Sequence, residues 1–428
     1  MFGKGRAKDI EPKNLPSLLE QFFGAMSLAS EASEEKRSFC ELCPPAGQNM
    51  NKICQACLSS FLERCPLRAL PVLLPAVSTK KMRRENHMEK KDLDWGNLGF
   101  AYMPTDYRYV ANYKDGAWDE GGLTTDPNLT LSECAGIFHY CQEIFEGLKA
   151  YTTEDGHIVT FRPDLNAKRM VDSALRLEMP PFPEEKFLEA VDEVVKANAA
   201  WVPPYGSGAT LYIRPYMIAT SNVIGVKPAE GYQFRMFVTP VGPYFKGGVK
   251  PLTICVSDFD RAAPHGTGHI KAGLNYAMSL HAYVTAHNNG YDENMFPDSA
   301  TRTYVEETGG ANFLFVDKEG NVVIPKSGSI LPSITRRSLT VVAKDILGLN
   351  VIERPVKIAE LGDFAECGVC GTAAVICPVG KVVDHGKEIC FPSGMEKMGP
   401  VVQKLYDTLT GIQMGRIEGP EGWIHTIM

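Results

Sequence analysis

The chain has 428 residues, 44% of them hydrophobic and 22% charged, a globular composition long enough for roughly two or three domains. A formal net charge of −7 argues against nucleic-acid binding through overall charge, and 12 cysteines are too sparse for a secreted disulfide framework. The first residues lack an apolar run ahead of a small-residue cleavage site. The run at 67–77, "LRALPVLLPAV", is short and interrupted by prolines, so a cytoplasmic protein with no membrane partner is expected.

Residues 1–87 differ from the rest, with 13 Lys+Arg against 9 Asp+Glu, and form a Cys-rich basic extension. Cys40, Cys43, Cys54 and Cys57 make two CxxC pairs separated by ten residues, which can offer four thiolates to a tetrahedral zinc ion. The rival reading is a poorly ordered extension in which these cysteines do nothing. Met88 follows the basic run "KKMRRENH", and the composition of the body begins there, so Met88 is an alternative start.

From about Leu93 short β-rich runs alternate with helical patterns. "HIVTFRP" reads as a strand, followed by amphipathic helices at "LNAKRMVDSALRL" and "EEKFLEAVDEVVKANAAWV", the latter ended by Pro203-Pro204. "ATLYIRPYMIAT" and "YQFRMFVTPV" are strands, and the turn-rich "GPYFKGGVKP" is a hinge. Beyond it come strand "LTICVSD", helix "NYAMSLHAYVTAHNNG" and hairpin "NFLFVDKEGNVVIP". A further helix at "SITRRSLTVVAKDILG" turns Leu339, Val342, Ala343, Ile346 and Leu347 to one face, and "GTAAVICPVGKVV" reads as a strand pair. The expected organisation is the extension at 1–87, one α/β domain at 88–242, a hinge at 243–250 and a second α/β domain at 251–428.

Several chemistries are disfavoured by missing motifs: there is no GxGxxG after a strand, no GxxxxGK[ST], no GxSxG and no HExxH. His265 and His269 lack a completing ligand set and read as surface or satisfied histidines. Attention falls on "HIKAGLNYA" (269–277), where Lys271 sits in an apolar segment between Gly268 and Gly273. A lysine there costs free energy unless its amine is paired or is deprotonated as a nucleophile.

Six motifs in order resemble the branched-chain amino acid aminotransferases: "FEGLKAY", "LYIRP", "KAGLNYA", "ETGGAN", "ILPSITRRSL" and "GTAAVICPV". The resemblance spans roughly 95–415. It implies a fold-type-IV enzyme with small and large α/β domains, pyridoxal 5'-phosphate as cofactor, and a homodimer or larger oligomer. It implies transfer of the amino group of L-leucine, L-isoleucine or L-valine to 2-oxoglutarate, leaving branched 2-oxo acids and L-glutamate. D-Amino acid aminotransferase and aminodeoxychorismate lyase share the fold; "FEGLKAY" and "YIRP" in this form argue against both. A zinc-dependent binding or regulatory protein, resting on the N-terminal cysteines, is the reading from another class.

The resemblance also implies residue roles. Lys271 would be the Schiff-base lysine and move the substrate proton, Glu307 would face the pyridinium nitrogen, and Tyr276 would bond the phenolic oxygen. Arg169, with Lys168 beside it as competitor, would bind the phosphate together with Ile334, Thr335 and Thr372. Ser333 is independently a good N-cap for the helix starting there, whose free N–H groups and dipole suit an anion. Tyr212 and Arg214 alternate on a strand and so share a face, with Arg214 a candidate either for the second carboxylate of glutamate or for a structural ion pair. Tyr140, Phe145 and Tyr244 match aromatic walls of the substrate pocket, Tyr140 arriving from the neighbouring subunit, and the backbone of Thr372 and Ala373 matches the carboxylate site. Two departures from mammalian members stand out: Ala374 replaces the first cysteine of their redox CxxC, leaving Cys377, and Gly310 replaces a threonine.

Overall fold

A computed structural model describes residues 89–242 and 250–428. Cys40, Cys43, Cys54, Cys57, Met88 and Tyr244, and the hinge from 243 to 249, lie outside the described residues. Those described belong to one compact unit.

The strands run in chain order as β1 (Arg108–Lys114), β2 (Ala117–Trp118), β3 (Gly122–Thr124), β4 (Glu143–Phe145), β5 (Leu148–Thr152) and β6 (Ile158–Phe161). Next come β7 (Thr210–Ala219), β8 (Tyr232–Val241), β9 (Leu252–Val256), β10 (Glu293–Met295), β11 (Asn312–Asp317) and β12 (Val322–Pro325). The series ends with β13 (Val351–Arg354), β14 (Phe364–Gly371), β15 (Val375–Asp384), β16 (Lys387–Cys390) and β17 (Ile424–Thr426). Among the described residues they form two sheets. The first has the order β17-β6-β5-β7-β8-β1-β2, with β3 on β1 and β4 on β7. The second has the order β10-β9-β15-β14-β11-β12-β13, with β16 on β15. The mixed α/β class expected from the sequence is the one observed.

β7 and β8 form the spine of the first sheet, paired antiparallel from Thr210↔Val241 to Ala219↔Tyr232. Their near-continuous apolar runs fit strands buried on both faces. Helices α1 (Gly136–Tyr140), α2 (Pro163–Arg176) and α3 (Glu184–Ala197) accompany this sheet. Pro163 opens α2, where its missing N–H costs nothing, and Glu184 and Glu185 suit the positive end of α3. α3 buries Phe187, Ala190, Val191, Val194 and Val195, an i, i+3, i+4, i+7, i+8 stripe. Each large apolar side chain buried this way contributes about 1.5–3 kcal/mol. Phe182 stacks on Phe234 at 3.9 Å in the same core.

The second sheet is served by α4 (Gly273–Asn288), α5 (Ile334–Val341) and α6 (Pro400–Gln413). Ser333 caps α5, its hydroxyl accepting from Arg336 N at 3.2 Å. The helix expected across this region does not stay regular. Val342–Ile346 is a π turn, with Leu347 N bonded to Val342 O at 2.9 Å. The wider turn rotates Ile346 outward while Leu339, Val342 and Ala343 stay buried, so the expected five-residue face is incomplete. "GTAAVICPVGKVV" likewise corrects to a turn followed by one strand, β15, whose hairpin partner is the preceding β14.

Candidate active site

Lys271 stands immediately before α4, where Ala272 is the N-cap and Gly273 the first helical residue. Gly273 is required: a Cβ there would lie 2.0 Å from Glu143 Oε2, the atom to which Gly273 N donates at 2.9 Å. Asn275, expected from the sequence to start the helix, instead lies inside its first turn and is buried. Its Nδ2 donates to Thr267 O at 2.7 Å and Ile270 O at 3.0 Å, stapling the approach loop.

Lys271 is held at both its backbone and its amine. Its N donates to Ser173 Oγ at 3.1 Å, its O accepts from Phe145 N at 3.0 Å, and its Nζ donates to Tyr276 Oη at 2.8 Å. The amine lies 4.7 Å from the Phe145 ring centroid and 5.1 Å from that of Tyr276, and the two rings meet edge-on at 4.9 Å. An amine on aromatic faces and one phenol is held in place without being neutralised by a carboxylate.

Tyr212 and Arg214 share a face of β7, as their alternation requires. Arg214 Nη2 donates to Tyr212 Oη at 3.1 Å, and its guanidinium carbon lies 4.9 Å from the Phe145 ring centroid. Arg214 Nε is buried with no hydrogen-bond partner, a donor available to a ligand. Gly147 permits this arrangement, since a Cβ there would lie 2.2 Å from Tyr212 Oη. Burial pushes the Glu143 carboxyl above its ordinary range, while Gly273 N and Arg214 oppose the rise.

Glu306 and Glu307 are not an exposed acidic pair; each is 3% exposed. Ser327 and Ser329 hydroxyls donate to Glu306 Oε1 at 2.7 and 2.8 Å. Glu307 accepts from Asn312 Nδ2 at 2.8 Å and Leu331 N at 2.9 Å, and pairs with Arg261 Nη2. Burial lifts the Glu307 pKa to about 7 despite the Arg261 charge and the Leu331 N–H. Arg261, which motif reading did not single out, is therefore the cation that Glu307 faces in the candidate site.

Arg169 is buried and Lys168 beside it is exposed, which settles their competition for an inward position. Arg169 Nε and Nη2 each donate at 2.8 Å to the two oxygens of Glu146, and Nη1 donates to Pro332 O at 3.2 Å, beside the α5 N-terminus. Glu146 is fully buried and also accepts from Asn166 Nδ2 at 2.7 Å. Ile334 and Thr335, the first residues of α5, are buried there, so Arg169 and the helix N-terminus converge.

Thr372 and Ala373 lie in the turn from β14 to β15. Val375, at its end, has φ of 64°, an uncommon conformation for a β-branched residue and one that stores strain. Lys149 on β5 donates to Ala373 O at 2.6 Å, tying the first sheet to this turn. Tyr140 ends α1 with its hydroxyl bonded to Ile224 O. His265 and His269 are exposed. Among the described residues there is no group of three or more metal-ligating side chains, and no helix is long and apolar enough to cross a membrane.

Residues 143–382 match the family model for amino-transferase class IV. The chain is 53% identical over 339 residues to the branched-chain-amino-acid aminotransferase of Haemophilus influenzae, covering 78% of this chain and 98% of that protein. It is 47% identical to the Helicobacter pylori enzyme of the same name, over 79% and 98%. The fold superposes on the Escherichia coli branched-chain amino acid aminotransferase with a TM-score of 0.64 and 26% identity, covering 76% of this chain and all (100%) of that one. The chain belongs to the class IV aminotransferases and, within them, to the branched-chain-amino-acid aminotransferases.

Proposed function

We infer that the protein transfers the amino group of L-leucine, L-isoleucine or L-valine to 2-oxoglutarate, using pyridoxal 5'-phosphate. The observation that carries this reading is the Lys271 amine, held 2.8 Å from the Tyr276 hydroxyl between aromatic faces at the head of α4. The residues fit the cofactor: an amine for its aldehyde, a phenol beside that amine, a buried carboxylate for its ring nitrogen, and an arginine with a capped helix N-terminus for its phosphate. When bound, the cofactor supplies the electron sink that makes the substrate Cα proton removable.

Lys271 Nζ takes and returns that proton, the amine held by Tyr276 Oη and the residue's backbone N–H by Ser173 Oγ. Glu307, with a raised proton affinity, is a strong acceptor for an N–H at the ring nitrogen, and Arg261 keeps it oriented. Arg169, Ile334, Thr335 and Thr372 hold the phosphate. The N–H groups of Thr372 and Ala373 take the substrate carboxylate, Phe145, Tyr212 and Tyr244 wall the side-chain pocket, and Arg214 receives the second carboxylate of glutamate.

Homodimerisation completes the site, with Tyr140 contributed across the interface. Its support is the apolar surface of α4, where Met278, Leu280, Tyr283 and Val284 are 42–60% exposed, together with Phe138, Ile224 and Val226. Residues 88–242 and 251–428 are the small and large domains, and the protein works in the cytoplasm.

Borohydride reduction of the enzyme followed by peptide mapping is expected to place the pyridoxyl group on Lys271, and Lys271→Ala to abolish transamination of L-leucine with 2-oxoglutarate. Label on another lysine, or activity surviving in Lys271→Ala, refutes the assignment. Profiling Leu, Ile, Val, Phe and D-Ala tests the substrate class.

A further inference from the structure

Lys149 carries no role in the reaction described above, yet it is built into the site. It lies on β5 directly opposite Tyr212 of β7, so its side chain leaves the sheet on the face that carries Tyr212 and Arg214. The residue is 8% exposed, and Nζ reaches the turn between β14 and β15 to donate to Ala373 O at 2.6 Å. Burial lowers its pKa to about 8, which leaves the ammonium mostly charged at neutral pH. A buried charged lysine is costly, and a charge-assisted bond to one carbonyl is the compensation seen here.

The carbonyl it selects belongs to a strained turn. Val375, two residues on, sits at φ of 64°, and such a conformation persists only when its surroundings hold it. The bond to Lys149 fixes the peptide plane that joins Ala373 to Ala374, and so restrains the turn to which Thr372 and Ala373 belong.

We propose that Lys149 is a positioning residue for the substrate α-carboxylate: by anchoring the Ala373 carbonyl it holds the turn that presents the Thr372 and Ala373 N–H groups, and it places a positive charge beside that turn. The inference rests on the functional reading above. Amino donor and 2-oxo acceptor both present this carboxylate, so both halves of the reaction depend on Lys149. A role limited to packing would affect stability and leave carboxylate affinity unchanged.

The test uses the intact holoenzyme and its Lys149→Met variant, with Lys149→Arg as the conservative control. Lys149→Met is expected to raise KM for both L-leucine and 2-oxoglutarate by about tenfold with a smaller change in kcat, and Lys149→Arg to recover most of the loss. Calorimetric binding of 4-methylvalerate, a carboxylate without an amino group, is expected to weaken by about the same factor. The same binding measurement on wild type and variant reads the subsite without turnover. Inactivity of the wild type towards L-leucine therefore counts against the functional reading, and unchanged 4-methylvalerate affinity counts against Lys149. Should Lys149→Met fold poorly, Lys149→Gln, which keeps a donor without the charge, is expected to show an intermediate loss. Equal KM values and equal 4-methylvalerate affinity in every folded variant would overturn the proposal.

Discussion

Replacing Glu146 with glutamine isolates the energetics of the ion pair that positions Arg169. The Glu146 carboxylate has no exposed surface and accepts three side-chain hydrogen bonds, two from Arg169 at 2.8 Å and one from Asn166 at 2.7 Å. A glutamine amide keeps one acceptor oxygen and turns an NH2 group towards one of the guanidinium donors. The Arg169 charge then remains buried with its counter-ion removed, a change that costs roughly 3–5 kcal/mol. At ~2–4 °C per kcal/mol for a chain of a few hundred residues, Glu146→Gln is expected to lower the melting temperature by on the order of 10 °C. The assay is thermal unfolding followed by circular dichroism, with Glu146→Leu/Arg169→Met as the companion that removes both charges. Because an apolar pair of similar volume carries no desolvation penalty, the double variant is expected to be the more stable of the two. Saturating pyridoxal phosphate should raise the melting temperature more in Glu146→Gln than in the double variant, since in the single variant its phosphate would meet the unpaired guanidinium and in the double variant only the remaining partners. If the double variant melts as low as the single one, the uncompensated charge is not the cause and the reasoning fails.

Two further outcomes follow from close approaches and from burial. Gly147→Ala places a methyl group against Tyr212 Oη, 2.2 Å away before relaxation, and so displaces the hydroxyl that holds Arg214. KM for 2-oxoglutarate is expected to rise by about tenfold and by more than KM for L-leucine; an equal rise would remove Arg214 from the second-carboxylate site. Glu293 is a half-buried residue whose carboxyl pKa is raised from 4.5 to about 7 by desolvation, opposed by the N–H groups of Asn294 and Gly309. Between those values the folded state holds a proton that the unfolded state releases, so stability falls as pH rises from 4.5 to about 7 and then levels. The loss is on the order of 3 kcal/mol at most. Denaturant titrations of wild type and Glu293→Gln across this range are expected to converge at the acid end and separate in favour of the variant at the alkaline end.

The parts of the fold legible in the sequence are those whose signal is local. α2 and α3 announce themselves by apolar spacing and by Pro163 or paired glutamates at their starts, and Ser333 is readable as a cap because capping chemistry spans only three residues. Strands β2, β3 and β4, of two or three residues each, carry too few to establish a period, and β1, "RYVANYK", shows no strict alternation of apolar and polar side chains. The π turn after α5 was also hidden, because nothing in "VVAKDILG" distinguishes a five-residue turn from a regular one. At the candidate site, motifs single out Lys271, Tyr276, Glu307 and Arg169. Their partners Ser173, Arg261 and Glu146 are not singled out, because each pairing joins distant elements; Glu146 and Arg169 lie 23 residues apart, in the link between β4 and β5 and on α2. Asn275 misled for a similar reason: its residue type favours caps, but its side chain is spent on the carbonyls of the preceding loop.

The short strand β17 has a consequence for the order in which the protein can be built. It pairs with β6, Ile424 opposite Phe161, and Ile158 N donates to Met428 O at 2.8 Å, so the edge of the first sheet is closed by residues that follow the whole second sheet. During synthesis, β6 therefore emerges with one side of its backbone unpaired and keeps it so while more than half of the chain is still being made. The first sheet cannot reach its final form as an autonomous vectorial unit. Its last ladder is a long-range closure that must wait for residues 424–428, which makes the newly synthesised chain most vulnerable to wrong strand partners just before translation passes that point.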